Sequence, residues 1–402
     1  MSRLVTPVHG GKLRNSLKLQ SVERMNREEI QRTWQQKGLG AICVSVLCAI
    51  LAVALWPFNP YPKNRVTWLN DENGISFGGR GVILSSGTFE LPGPEGIMSA
   101  SLELWLEPAG ENGSTNVLAF SSPESPVQFR LRQSFDSWLF LHQILDRDHR
   151  SRTAGLWIEH AAHSKKQRFI TITSGPQGTT VYLDGFAVKT SPSFRLASKD
   201  LSGQLILGSS PVRYDTWLGK LRGLALFHYE LTAPQVAGHC QAWTDGQFEV
   251  IRHDHPIALF PFNERAGEIV HNQVASGPDL NIPESYDVPY KPFLEVPWKE
   301  FYPNWAYLQD ILINIVGFIP FGFFFCAAHA RGRPGRKAVI VTIILGATVS
   351  LAIEILQAYL PTRNSGMTDL FTNTLGTGVG AMLYGRKALR ALLAECGLQR
   401  SS

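Results

Sequence analysis

Cysteine and charge are both scarce in this sequence. Of 402 residues, 5 are Cys and 18% are Asp, Glu, Lys or Arg, while 44% are apolar. Cys43, Cys48, Cys240, Cys326 and Cys396 lie scattered, with neither the spacing of a zinc site nor the framework of a disulfide-stapled domain. So little charge beside so much apolar surface excludes a disordered chain, and the length exceeds that of one ordinary domain. The 38 Lys and Arg barely exceed the 33 Asp and Glu. A balance this mild leaves no electrostatic footprint for nucleic acid, and no such partner is expected.

What is present divides into a polar middle and apolar flanks. Residues 39 to 56 carry no charge, and as a helix they reach about 27 Å, close to the thickness of a bilayer core. Lys37 precedes the run, Trp56 sits where an interfacial aromatic belongs, and Pro57 and Pro60 stop the helix. Ala52-Val53-Ala54 also fits a signal-peptide cleavage site; the polar lead and the length of the run favour an uncleaved anchor. Three more apolar runs follow, over 308 to 328, 338 to 360 and 367 to about 385. Basic residues set the orientation. Arg3, Lys12, Arg14, Lys18, Arg24, Arg27, Arg32 and Lys37 precede the first run, Arg331, Arg333, Arg336 and Lys337 follow the second, and Arg386, Lys387 and Arg390 follow the fourth. With four spans these groups share one side, the cytoplasmic one. The expectation is a multi-pass protein of the bacterial inner (cytoplasmic) membrane with both termini cytoplasmic and residues 57 to 307 exported. Cys240 is the only Cys of that exported stretch, so no intrachain disulfide forms there.

The exported middle alternates with period two, as in Leu102-Glu103-Leu104-Trp105-Leu106, Val127-Gln128-Phe129-Arg130-Leu131 and Phe169-Ile170-Thr171-Ile172-Thr173, with turns rich in Gly, Pro, Ser and Asn. This is the pattern of an all-β two-sheet sandwich, placed at 64–243. The runs Ser101 to Pro108, Arg168 to Thr173, Val181-Tyr182-Leu183-Asp184-Gly185, Leu207-Gly208 and Trp217-Leu218-Gly219-Lys220-Leu221 resemble the laminin-G or concanavalin A-like jelly roll. That resemblance implies a domain that binds glycans or proteins, or in some members hydrolyses glycans. A retaining glycosidase needs two carboxylates facing one groove, and no Glu-x-Asp-x-x-Glu strand is present. Glu103 beside Trp105 reads most simply as a solvated outer-face residue. Trp138, Trp157 and Trp217 are candidate platforms for sugar stacking, each with a place in the core as the alternative. Asp184 reads as a hairpin turn residue. Calcium is compatible with such a jelly roll but no clustered acidic loop assigns it, and no other cofactor or metal is evident. Residues 244–307 read as a connector with one strand over 257 to 263, ending in a Pro-rich aromatic stretch that includes Pro297, Trp298, Tyr302, Pro303 and Trp305.

The apolar runs of the C-terminal 308–390 region carry polar residues at helical spacing. Asp310 and Asn314 share a face of the second span, Ser350, Glu354 and Gln357 a face of the third, and Asp369 and Asn373 a face of the fourth. The topology puts all of them in the outer-leaflet half, with Arg363 in the hairpin above. Carboxylates in hydrocarbon are costly and mark a site by default. An internal Glu354–Arg363 pair with interhelical amide bonds is the structural alternative. Gly376 and Gly380 permit close helix approach, and Gly317, Pro320 and Gly322 are placed to loosen the second span. The strings Asp310-x-x-x-Asn314, Phe318-Ile319-Pro320-Phe321-Gly322, Ser350-x-x-x-Glu354-x-x-Gln357, Arg363 and Asp369-x-x-x-Asn373-x-x-Gly376-x-x-x-Gly380 resemble the VanZ-like family. With the first span, that resemblance implies a four-helix membrane bundle interrupted by the jelly roll, and a link to glycopeptide (teicoplanin) resistance and envelope glycans. Residues 1–38 and 391–402 are then cytoplasmic tails.

Two readings follow. In the first, the jelly roll binds a glycan or exopolysaccharide while Asp310, Asn314, Glu354, Gln357, Arg363, Asp369 and Asn373 hold a lipid headgroup or lipid-linked saccharide; membrane lipids and envelope proteins are its other partners. In the second, Glu354 or Asp369 is a catalytic general base on a lipid-linked saccharide, with Arg363 on a phosphate. The spans contain no Ser-His or Cys-His pair, HExxH or phosphate loop, and His329 falls on the cytoplasmic side, which favours binding.

Overall fold

The computed structural model describes residues 10–91, 99–110, 113–125, 128–145, 151–196, 198–274, 277–301, 305–330 and 335–399. Arg3, Val127, Tyr302, Pro303, Arg331 and Arg333, singled out above, lie outside these. In chain order the elements begin with helix α1 (Gly10–Leu55) and strands β1 (Val66–Trp68), β2 (Ile75–Phe77), β3 (Ile83–Phe89), β4 (Ala100–Pro108), β5 (Ser114–Ser121) and β6 (Phe129–Ser134). There follow β7 (Ser137–Leu145), β8 (Ser151–Ile158), β9 (Arg168–Gly175), β10 (Gly178–Leu183), β11 (Phe186–Ser191), β12 (Gly203–Leu207) and β13 (Gly219–Phe227). After α2 (Ala233–Asp245) and α3 (Phe248–His253) come β14 (Ala258–Phe260), β15 (Ile269–Val270) and β16 (Leu280–Asn281). The chain ends in α4 (Pro297–Glu300), α5 (Trp305–Ala330), α6 (Arg336–Ala358), α7 (Met367–Tyr384) and α8 (Lys387–Glu395).

Two compact units result. One comprises Asn59–Pro292 and Tyr359–Asn364, the other the chain up to Phe58, Phe293–Ala358 and the chain from Ser365 onward.

The first unit is a sandwich of two eight-stranded sheets. One runs β1-β2-β13-β4-β9-β10-β11 with β14 added on β13, the other β15-β16-β3-β12-β5-β6-β7-β8. Alternation decides which side chains meet between them. Leu102 and Leu104 of β4 pair in register with Ile172 and Ile170 of β9 and with Leu226 and Leu224 of β13. All six face a core shared with Phe120, Phe129, Leu131, Trp138, Phe140 and Leu156 of the opposing sheet. Truncating one such Leu or Phe to Ala costs about 2–5 kcal/mol. Asp184 and Gly185 take left-handed φ of 52° and 85° in the β10–β11 hairpin, and Asp184 accepts the Phe169 N–H at 3.0 Å. Residues 244–292 join the sandwich: β14 extends one sheet beside β13, and β16 extends the other beside β3.

α2 covers the outer face of the first sheet. It starts where the Gln235 side chain accepts the Thr232 N–H at 3.0 Å and ends on Gly246 at a left-handed φ of 69°. Its Val236, Ala242 and Trp243 pack with Phe169, Ala225 and Phe227 of the sheet and Ile251 of α3.

Among the described residues of the helical unit three segments are long and apolar enough to cross a membrane: Thr33–Leu55, Tyr307–Ala330 and Arg336–Ala358. The sequence expectation was four spans. α7, with 18 residues that include four Thr, an Asp and an Asn, is not among the three. α5 and α7 meet backbone to backbone. A Cβ at Gly376 would lie 2.2 Å from the Ile315 carbonyl oxygen, and one at Gly380 2.1 Å from that of Ile319. Only glycine permits this approach. The second span is not loosened as its Gly and Pro suggested: α5 runs unbroken through Pro320.

Candidate functional site

The polar faces of α5, α6 and α7 converge. Asn314 Nδ2 donates to Asp369 Oδ1 at 2.7 Å, joining α5 to α7, and Asn373 Nδ2 donates to Ser350 Oγ at 3.0 Å, joining α7 to α6. Glu354, 1% exposed, accepts the Gly366 N–H on Oε2 at 2.8 Å. Gly366 is the N-cap of α7, so this carboxylate satisfies one of the amides that a helix start leaves without an intrahelical partner, and it sits at the positive end of the helix dipole.

Glu300 was missed in the sequence. Its Oε2 accepts the Thr368 N–H at 3.1 Å and also the Thr368 hydroxyl, so two acids cap α7. Glu300 lies in α4, outside every apolar run, where no hydropathy signal could draw attention to it. The neighbouring Met367 N–H goes to the Glu295 carbonyl at 2.9 Å. Glu300 and Asp310 both act electrostatically on Asp369. Burial rises from Asp310, exposed on α5, through half-buried Asn314 and Asp369 to buried Glu354 and Asn373.

One residue expected here stands elsewhere. Gln357 turns to α1, where its Nε2 donates to the Ala54 carbonyl at 2.9 Å. Arg363 belongs to the Tyr359–Asn364 segment, which groups with the β unit.

The three candidate tryptophans of the sandwich separate by burial. Trp138 and Trp217 are core residues, 0% and 1% exposed, and their indole N–H groups donate to the Ala161 carbonyl at 3.2 Å and to Gln133 Oε1 at 2.8 Å. Neither ring has a face open to a sugar. Trp157 is 43% exposed on the outer face of β8, beside Gly155 and across from Leu139 of β7.

Glu103 is not the solvated residue its alternation suggested. It is 0% exposed because α2 lies over that face of β4, bringing His239 Nδ1 to 2.9 Å from one carboxylate oxygen and Trp243 Nε1 to 3.0 Å from the other. The second ring nitrogen of His239 lies 2.9 Å from Asp254 Oδ2. Burial opposes a charged imidazole, but the two carboxylates outweigh it and hold the His239 pKa above its ordinary value. Burial pushes the neighbouring Cys240 thiol up to about 11, away from thiolate chemistry. Among the described residues no group of three or more His, Cys, Asp or Glu is arranged to hold a metal ion.

An all-β two-sheet sandwich and an apolar helical unit with a polar interior thus coexist in one chain. Residues 81–237 match the concanavalin A-like lectin/glucanases superfamily, and residues 250–389 match the VanZ/LLP1 family. The chain carries both domains. No curated protein matches the sequence. Among solved structures it is similar to the receptor binding domain of botulinum neurotoxin D, at 15% identity over 46% of each chain and a TM-score of 0.32. It is also similar to the serotype D ligand binding domain in complex with N-acetylneuraminic acid, at 13% identity over 45% of each chain and a TM-score of 0.32. A third is the native heptameric SAP-like pentraxin of Limulus polyphemus, at 12% identity over 44% of this chain and 78% of that one, with a TM-score of 0.30. The chain spans just under half, 46%, of the neurotoxin domain.

Proposed function

We propose that this is an envelope protein of the bacterial inner membrane whose helical unit holds a lipid headgroup or lipid-linked saccharide and whose sandwich, exported, binds a glycan or exopolysaccharide. In this reading α7 joins the three long apolar helices as a fourth membrane helix, and its polar face looks inward. The observation that carries the proposal is the convergence of Asp369, Asn314, Glu354, Asn373 and Ser350 from three helices onto one polar cluster inside an apolar unit. Polar groups at that depth are costly unless they serve a ligand or one another. The concanavalin A-like domain, with Trp157 as its solvent-facing aromatic candidate, supports the glycan arm. The link to glycopeptide resistance comes from the VanZ family alone.

Binding is favoured over catalysis because the apolar runs carry no Ser-His or Cys-His pair, HExxH or phosphate loop beside these carboxylates. The test uses the full chain in lipid nanodiscs. Glu354→Gln with Asp369→Asn is expected to abolish retention of co-purified lipid, and Trp157→Ala to abolish capture on an envelope-glycan array. Turnover of a lipid-linked saccharide that disappears in the double variant while lipid is still retained would replace this reading with the enzymatic one.

A further inference from the structure

We infer that the ligand of the helical unit's polar cluster carries a primary ammonium group. This rests on the headgroup reading above and adds the chemistry of the group that is held. The cluster is rich in acceptors. Asp369 feels the charges of Glu300 and Asp310, and Glu354 those of Asp369 and Glu300. Neutral donors engage these carboxylates: the Gly366 N–H on Glu354, the Thr368 N–H and hydroxyl on Glu300, and the Asn314 amide on Asp369. Such donors leave further acceptor sites open on each carboxyl group.

A second, independent feature lies one turn deeper. Asn373, 5% exposed, follows Asp369 by one turn of α7, and its Nδ2 donates to Ser350, which precedes Glu354 by one turn of α6. The carboxamide therefore sits between the two helix faces that bear the carboxylates. Its Oδ1 has no hydrogen-bond partner. A buried acceptor left unmatched calls for a donor. Along the same polar faces burial increases from exposed Asp310 through half-buried Asn314 and Asp369 to buried Asn373.

A phosphate placed here would meet carboxylates and an orphan acceptor. A quaternary ammonium would bring charge but no N–H. A primary ammonium supplies both the positive charge and three donors, enough for two carboxylate oxygens and Asn373 Oδ1. Ethanolamine is the simplest source, either in a diacyl lipid or as a soluble glycerophospho ester.

The test is competitive lipid retention by the full chain, read by native mass spectrometry from equimolar phosphatidylethanolamine, phosphatidylcholine and phosphatidylglycerol. Phosphatidylethanolamine is expected to be retained about tenfold over either competitor, the scale of one or two charge-assisted hydrogen bonds. Asp369→Asn and Asn373→Ala should each erase that preference. Because these variants can fail to fold, the unmodified protein is also offered the mono-, di- and trimethylated ethanolamine lipids, whose retention should fall with each N–H removed. Displacement by soluble glycerophosphoethanolamine assigns the amine alone as sufficient; resistance to it assigns the lipid form. Retention with no headgroup preference, or with phosphatidylglycerol preferred, overturns the ammonium inference and leaves the headgroup reading standing. Retention of no lipid at all overturns both.

Discussion

Each unit buries one glutamate almost completely, and the two are solvated in opposite ways. Glu103 in the sandwich meets a histidine whose charged form a second carboxylate, Asp254, favours, and an indole N–H completes its shell. Glu354 in the helical unit meets a backbone amide at a helix start, with Asp369 and Glu300 as electrostatic neighbours. The first is a closed arrangement in which every partner is protein. The second keeps an excess of acceptors. Burial alone therefore does not distinguish the two acids; the charge balance of their surroundings does.

The largest effect that would break this contrast is expected from Glu103→Ala. It strands His239 and the Trp243 N–H in the interior and should cost the sandwich about 3–5 kcal/mol, measured by urea unfolding followed through tryptophan fluorescence. A loss below about 1 kcal/mol would show that the triad is not a closed structural unit.

The next effect is on pH dependence. His239 has a folded pKa above its unfolded value of about 6.5. Its contribution is complete below that unfolded value and is lost as pH rises through the higher folded one. Sandwich stability should therefore decline on the alkaline side with a slope of at most about 1.4 kcal/mol per pH unit, and His239→Gln should flatten that slope. Melting curves taken across pH read this directly, and an unchanged slope in the variant would refute the assignment.

Smaller again is Glu354→Gln. The amide oxygen can still accept the Gly366 N–H, so thermal stability in nanodiscs should change by no more than about 1 kcal/mol while lipid retention is lost. A large destabilisation would make Glu354 the counterpart of Glu103 and erase the comparison. Trp157→Ala should alter stability least, by about 0.5 kcal/mol or less, as expected of a solvent-facing side chain.

Much of this was legible in the sequence. Period-two alternation located the strands, and spacings of three and four residues identified which polar side chains share a helix face. The same parity could have sorted the tryptophans: Trp138 keeps step with inward Phe140, whereas Trp157 falls out of step with inward Leu156 and Ile158. What the sequence could not reveal depended on partners distant along the chain. Glu103 looked solvated because α2, which covers it, begins at Ala233. Gln357 and Glu354 share a face, yet one reaches α1 and the other the start of α7. Glu300 stood in a segment whose visible features were its prolines and aromatics.

The glycine seam between α5 and α7 has a bearing on any lipid that docks. With Gly376 and Gly380 pressed on the carbonyls of Ile315 and Ile319, no gap wide enough for a hydrocarbon tail remains along that joint. A hydrocarbon tail therefore cannot pass between α5 and α7 at these two glycines, whatever the head of the molecule meets.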